Sequence, residues 1–262
     1  MLSEYVIHPS LATADLARAK SWYLEKLGWL PEREFDGLLV YEVEGRVLTV
    51  YETPVAGTAR NTVAIWLVYD LRAEVARLRG RGVVFEDYDF DDLRTFDGIA
   101  TDDDTLNAWF RDGDGNYIGM VEQHFGPDED DAPDLRGIGA MIAASDLARA
   151  KLWYADRLGL VPLKEYDGEV LVYRSGPGRF SVYQTPSAGT AKNTVAVWRV
   201  SDLRAEVAGL RSRGVVFEEY DFGDDRTVDG ILTGPDGEMN AWFKDSEGNI
   251  LALAQIRPGD DF

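Results

Sequence analysis

The chain has 262 residues, no cysteine and a formal charge of −20, from 47 Asp and Glu against 27 Lys and Arg. That charge argues against nucleic acid or anionic membrane as a partner, because phosphates are repelled, and the missing thiols exclude disulfides, thiolate metal sites and cysteine nucleophiles. No apolar run reaches membrane-span length and the N-terminus lacks a basic-then-apolar leader, so the expectation is a cytoplasmic protein long enough for two domains.

Tyr5–Ala12 reads as a strand. Asp15 then offers a helix start, Leu16, Ala19, Trp22, Tyr23 and Leu27 follow at helical spacing, and Gly28 sits where a C-cap belongs. Two strand-like runs come next, Leu38–Glu42 and Arg46–Glu52, joined at Glu44-Gly45. The order then restarts: Thr62–Tyr69 is strand-like, Asp70 opens a helix to about Arg79, and Val83–Phe85, Asn107–Arg111 and Tyr117–Gln123 complete the strands. The second half of the chain repeats the first. Asp15-Leu-Ala-Arg-Ala-Lys20 returns as Asp146 to Lys151, Asn61-Thr-Val-Ala64 as Asn193 to Ala196, Asp70 to Ala76 as Asp202 to Ala208, and Asn107-Ala-Trp-Phe110 as Asn240 to Phe243. A period of half the chain is a duplicated domain and not a solenoid. The expected domains are 1–124 and 136–257, each of two β-α-β-β-β units, with an acidic, proline-containing linker over 125–135. A chemical group present in one copy only cannot be essential to a site that both copies share.

Two spaced motifs carry a family resemblance. The first is Asp15-Leu16, Trp22-Tyr23 and Leu27-Gly28, which returns as Asp146-Leu147, Trp153-Tyr154 and Leu158-Gly159. The second is the hairpin Phe110-Arg-Asp-Gly-Asp-Gly-Asn116, which returns as Phe243-Lys-Asp-Ser-Glu-Gly-Asn249. With these the chain resembles the vicinal oxygen chelate superfamily of glyoxalase I, extradiol dioxygenases and bleomycin resistance proteins. The resemblance implies an α+β fold in which four β-α-β-β-β units form two open curled-sheet cavities with helices on the outer faces. Strand alternation then sends His8, Ser10 and Ala12, Val63, Ile65 and Leu67, and Asn107 and Trp109 to the cavity, and Trp66 and Phe110 to the helix side.

Enzymes of that superfamily hold a divalent metal on a first-strand His or Gln, a Glu or His of the second unit, and a last-strand Glu. The matching positions here are His8 and Gly139, Val63 and Val195, and Gly119 and Ala252, with Glu52 or Gln184 as an intermediate-strand alternative. Val, Gly and Ala donate no lone pair, so no metal and no other cofactor is expected. His8 is then a binding contact or a general base. The expected ligand-lining residues are His8, Ser10, Tyr51, Asn107 and Trp109 and, from the second copy, Met141, Tyr183, Arg199, Asn240 and Trp242, with Trp109 and His8 sharing one half and Trp242 and Arg199 the other. Rings with an amide hold a flat organic molecule without covalent chemistry. The acidic, aromatic stretches Glu86–Asp92 and Glu218–Asp225 read either as solvated loops or as a rim for a cation. Asp112-Gly-Asp114-Gly-Asn116 imitates a calcium loop but has Tyr117 at its sixth position, and a tight turn explains it. The function that follows is a small-molecule binding protein, sequestering an aromatic or cationic compound such as an antibiotic, as a monomer (an internal pseudo-dimer) or a homodimer. The alternative is a lyase, isomerase or dioxygenase using His8 as base or shifted metal ligands.

Overall fold

The computed structural model describes residues 1–90, 93–102, 105–123, 137–166, 168–221, 223, 225–235 and 237–255; the expected linker at 125–135 lies outside them. In chain order the elements are β1 (Ile7–Thr13), α1 (Leu16–Trp22), β2 (Arg33–Phe35), β3 (Leu38–Val43), β4 (Arg46–Glu52), β5 (Thr62–Leu67), α2 (Leu71–Gly80), β6 (Ile99–Asp102), β7 (Thr105–Arg111) and β8 (Tyr117–Gln123). The order then repeats as β9 (Gly137–Ala144), α3 (Leu147–Trp153), β10 (Pro162–Tyr166), β11 (Val170–Ser175), β12 (Gly178–Gln184), β13 (Thr194–Arg199), α4 (Leu203–Ser212), β14 (Leu232–Thr233), β15 (Met239–Lys244) and β16 (Ile250–Gln255). The strands make two curled eight-stranded sheets in an α+β fold. Among the described residues no helix is long and apolar enough to cross a membrane.

Two compact units emerge, Met1–Ser10 with Ala140–Phe262, and Leu11–Gly139. In the first unit the strand orders are β14-β15-β16-β13-β1 and β10-β11-β12-β9; in the second they are β4-β3-β2 and β5-β8-β7-β6. The start of β1, which opens copy one in sequence, therefore pairs with β13 of copy two: Ile7 lies opposite Trp198, His8 opposite Val197 and Pro9 opposite Ala196. Hydrophobic alternation orients a strand but does not choose its neighbour, which is why this pairing could not be read from the periodicity.

The helices start where the sequence signals them. Asp15, Asp70, Asp146 and Asp202 each accept a hydrogen bond from the backbone N–H three residues on, satisfying an otherwise orphaned donor. After Trp22 and Trp153 the helix widens into a π-helical turn that ends at a left-handed glycine, Gly28 (φ 81°) or Gly159 (φ 70°). Three strand expectations change. Arg33–Phe35 and Ile99–Asp102 are strands without a strong period-2 pattern. Val83–Phe85 is not a strand: Val83 and Phe85 are buried but Val84 is exposed, and only Phe85 makes a bridge, to Phe110.

The two hairpin motifs hold each unit together from inside. Asp112, buried, accepts hydrogen bonds from the Tyr23 hydroxyl (2.8 Å), the Asn116 side chain (2.8 Å) and the backbone N–H groups of Asp114 and Asn116 (2.9 Å each). Asn116 Nδ2 also donates to the Ala12 carbonyl at the end of β1, at 2.8 Å. The second copy repeats this with Asp245, Tyr154, Asn249 and the Ala143 carbonyl. Burial nevertheless pushes both carboxyls up, Asp245 to about 6, because the hydrogen bonds do not fully offset desolvation. Removing the Asn249 amide with Asn249→Ala strands a buried carbonyl and a carboxyl oxygen, and a loss of about 2–4 kcal/mol is expected by urea unfolding at neutral pH.

Candidate functional site

In the first unit, cross-strand register assembles a polar and aromatic sheet face. One row of partners runs His8, Val197, Ala252, Trp242, and a second, two residues along, runs Arg199, Ala254, Asn240. Directly opposed residues point to the same side, and alternation sends their neighbours to the other. Trp198, Leu253, Ala241 and Phe243 accordingly go to the opposite side, all fully buried. Arg199, Asn240 and Trp242 are half-buried, so this face is only partly covered.

His8 is 4% exposed and its Nδ1 has no hydrogen-bond partner. Burial, with the positive charge of Arg199 second, lowers its pKa to about 3. The imidazole is thus neutral across the physiological range, whereas a general base works best with a pKa near the ambient pH. Its suitable roles are hydrogen-bond donor or acceptor. Trp242 meets the Tyr220 ring edge-on at 5.6 Å.

In the second unit the matching rows are Ile65, Gly119, Trp109 and Leu67, Val121, Asn107. Trp109 and Asn107 repeat Trp242 and Asn240, and Tyr88 meets Trp109 edge-on at 5.5 Å. Asn107 Nδ2 donates to Thr105 Oγ1 at 3.2 Å. The position corresponding to Arg199 is Leu67, and the one corresponding to His8 is Gly139. This face therefore carries neither a cation nor an imidazole.

The structure brings His8, Ser10, Arg199, Asn240 and Trp242 onto one sheet of one unit, and Asn107 with Trp109 onto a sheet of the other. His8 is thus grouped with Arg199 and Trp242, where sequence order had set it beside Trp109. Met141 lies opposite Ser181, and Tyr183 opposite Ala143, on the β9–β12 pair. Tyr51 lies on β4, opposite Leu38. Glu52 and Gln184 alternate with Tyr51 and Tyr183 and are exposed, so neither joins the Tyr face. Tyr41 and Tyr173 are core: Tyr41 packs on Tyr23 at 5.1 Å and Tyr173 stacks on Phe180 at 5.0 Å.

Tyr88 and Tyr220, the rings against the two tryptophans, were legible only as parts of the acidic stretches. Five of the described acids in those stretches are engaged locally. Glu86 pairs with Arg111, Asp87 accepts from Gly98 N and Thr95, and Asp89 pairs with Arg94. Glu218 pairs with Lys244 and Glu219 accepts from Thr227 and Gly230 N. Asp91, Asp92, Phe222 and Asp224 lie outside the described residues.

With this geometry in place the comparisons are informative. Residues 5–120 match the model of the Glyoxalase/Bleomycin resistance protein/Dioxygenase superfamily, and the later half repeats the same motifs. Over those residues the chain is similar to that superfamily. Glyoxalase I from Zea mays has the same fold, with a TM-score of 0.66 at 15% identity over 96% of this chain and 92% of that one. A Bacillus subtilis protein described provisionally as a dioxygenase gives 0.58 at 18% identity, over 96% and 85%. No curated protein matches the chain.

The superfamily's metal does not fit the residues present. Among the described residues no group of three or more His, Cys, Asp or Glu is placed to hold an ion. At the last-strand position a Cβ built on Gly119 would come within 3.3 Å of both Trp109 Nε1 and Thr62 Cγ2. A side chain there would press on the Trp109 indole.

The His8 environment sets a pH dependence. An imidazole at about 3 in the folded chain and 6.5 when unfolded leaves the folded state with fewer protons between those values. Its contribution is complete above about pH 6.5 and declines as pH falls towards 3. By pH 5 that is about 2 kcal/mol. Urea unfolding at pH 7 and pH 5 should show His8→Gln losing about that much less than the parent on acidification; equal losses would contradict a buried neutral imidazole.

Proposed function

We propose that this chain is a member of that superfamily and binds a planar aromatic small molecule without a metal, using Trp109 with Asn107 in one unit and Trp242 with Asn240 in the other. The observation that carries the reading is that the last-strand metal-ligand positions hold Gly119 and Ala252, which offer no donor, each in register opposite a tryptophan. Half-buried rings with a neighbouring amide give a flat ligand stacking area and one directional contact. The neutral His8 favours binding over proton abstraction as its role.

Calorimetry with 2-naphthylmethanol, a neutral planar probe, tests the proposal. Binding should be the same with and without EDTA, and Trp109→Ala and Trp242→Ala should each weaken binding in their own unit by tenfold or more. Loss of binding in EDTA that one equivalent of a divalent ion restores would overturn it. A turnover found in the parent and lowered a hundredfold or more by His8→Ala would place the protein among the enzymes instead.

A further inference from the structure

On its helix side the first unit is crossed by the start of the chain. A short helical turn, Leu2–Glu4, leads into β1, and Leu2 is fully buried. The Ser3 carbonyl accepts a hydrogen bond at 2.9 Å from the backbone N–H of Gly176, the first residue of the β11–β12 turn. The Tyr5 hydroxyl meets Ser201 Oγ at 3.1 Å, just before α4, and Glu206 of α4 lies 3.7 Å from the Met1 nitrogen. An extended segment with one seated aliphatic side chain therefore runs from a hairpin turn to a helix. In the second unit the matching positions line a groove of about 410 Å³. Glu44 stands there for Gly176, Tyr69 for Ser201 and Glu74 for Glu206, with Val68 and Ala73 between them. Val200 is 5% exposed, whereas its counterpart Val68 is half-buried. Two differences set the charge of this groove. Arg77, in place of Gly209, pairs with Glu74 and occupies that carboxylate. Glu44, in place of Gly176, adds an exposed carboxylate that no ion pair engages among the described residues. Glu44 and Gly176 share a left-handed backbone, with φ 51° and 56°, a conformation that costs a residue with a side chain and suits glycine.

We infer that the second-unit groove docks a short extended peptide of basic and aliphatic character, with an aliphatic side chain seated as Leu2 is in the first unit and a Lys or Arg beside Glu44. The chain start supplies the template for the aliphatic part. Glu44 supplies the preference for positive charge, and the chain's overall charge of −20 draws a cationic partner towards it. Trp66, which also lines the groove, alternates with Ile65 and Leu67, so the groove lies on the opposite sheet face from Trp109 and Asn107. Peptide docking is thereby independent of ring binding.

The test is an NMR titration of the isotope-labelled full chain with three hexapeptides: Met-Leu-Ser-Lys-Tyr-Val, the chain's own opening Met-Leu-Ser-Glu-Tyr-Val, and Met-Ser-Ser-Lys-Tyr-Val. The first should shift the Trp66 indole and the Ala73 and Glu44 amides and leave the Trp109 and Trp242 indoles in place. It should bind at least threefold more tightly than the second, the scale of one exposed ion pair, and the third, without the aliphatic side chain, should lose tenfold or more. Glu44→Gly, which installs the residue of the other copy and suits the left-handed backbone, should erase the preference for Lys over Glu while both peptides still bind. Ala73→Trp, on the exposed side of α2, fills the groove and should abolish binding of all three, with thermal unfolding checking that the variant folds. Shifts centred elsewhere, equal binding of the Leu and Ser peptides, a Lys preference that survives Glu44→Gly, or no binding at all would each overturn the inference. Titration with 2-naphthylmethanol in the same samples reads the ring-binding faces separately, so either reading can fail while the other stands.

Discussion

The structure depends on a buried carboxylate in each unit that is hydrogen-bonded on all sides. Asp112 gathers Tyr23 from the helical segment and Asn116 from the last hairpin, and Asn116 in turn grips the carbonyl of Ala12 on β1. Three segments far apart in sequence are thereby fixed to one point. A buried ionisable group is a poor source of net stability, and the raised pKa of Asp245, to about 6, shows the desolvation that opposes it. Its value is in specifying register. The hairpin fixes where β7 ends and β8 begins, and with them the opposition of Trp109 to Gly119. The calcium-like spacing of Asp112, Asp114 and Asn116 comes from this duty: Asp112 turns inward, and Asp114 caps the start of the first helical segment through Ala14 N (3.0 Å) and an ion pair with Arg18.

That brace and the aromatic layer beneath the helices are retained in both copies. Trp22 stacks on Phe110 and Trp153 on Phe243, at 6.4 and 6.3 Å, with Phe85 and Phe217 edge-on to the same phenylalanines. The phenylalanines are buried and the two tryptophans half-buried, so substitution at the phenylalanines carries cavity or overpacking costs of several kcal/mol. The opposite sheet face bears no such constraint. There His8 faces Gly139 across the duplication, and Arg199 faces Leu67. Duplication fixes the scaffold twice and leaves two surfaces to diverge.

Much of this was legible because it is local. Caps at Asp15, Asp70, Asp146 and Asp202, the left-handed Gly28 and Gly159, and the strands 46–52 and 117–123 all follow from short-range chemistry. Two things were not local. Arg33–Phe35 pairs only with Leu38–Val40 and is mostly exposed, so it leaves no burial pattern to read. The partner of β1 is set by tertiary packing, and only that pairing groups His8 with Arg199 and Trp242. The sidedness of His8, Trp109 and Asn107 followed from alternation alone; their company did not.

The same distinction bears on the metal. A sequence lacking Glu at the last-strand position leaves open whether a neighbouring carboxylate has moved in to compensate. At Gly119 the space is tight, since a Cβ would meet Trp109 and Thr62 at 3.3 Å and those neighbours would have to shift by a few tenths of an ångström. A longer side chain there would lie against the indole, so a ligating residue at that position needs the ring to shift. Nor does a donor wait nearby, since Glu52 and Gln184 alternate away from Tyr51 and Tyr183. Where an ion would have supplied a fixed charge, the second unit has only ring and amide. The first unit has a guanidinium two residues from the row of His8, and a fixed positive charge beside a neutral imidazole disfavours a second cation at the same place.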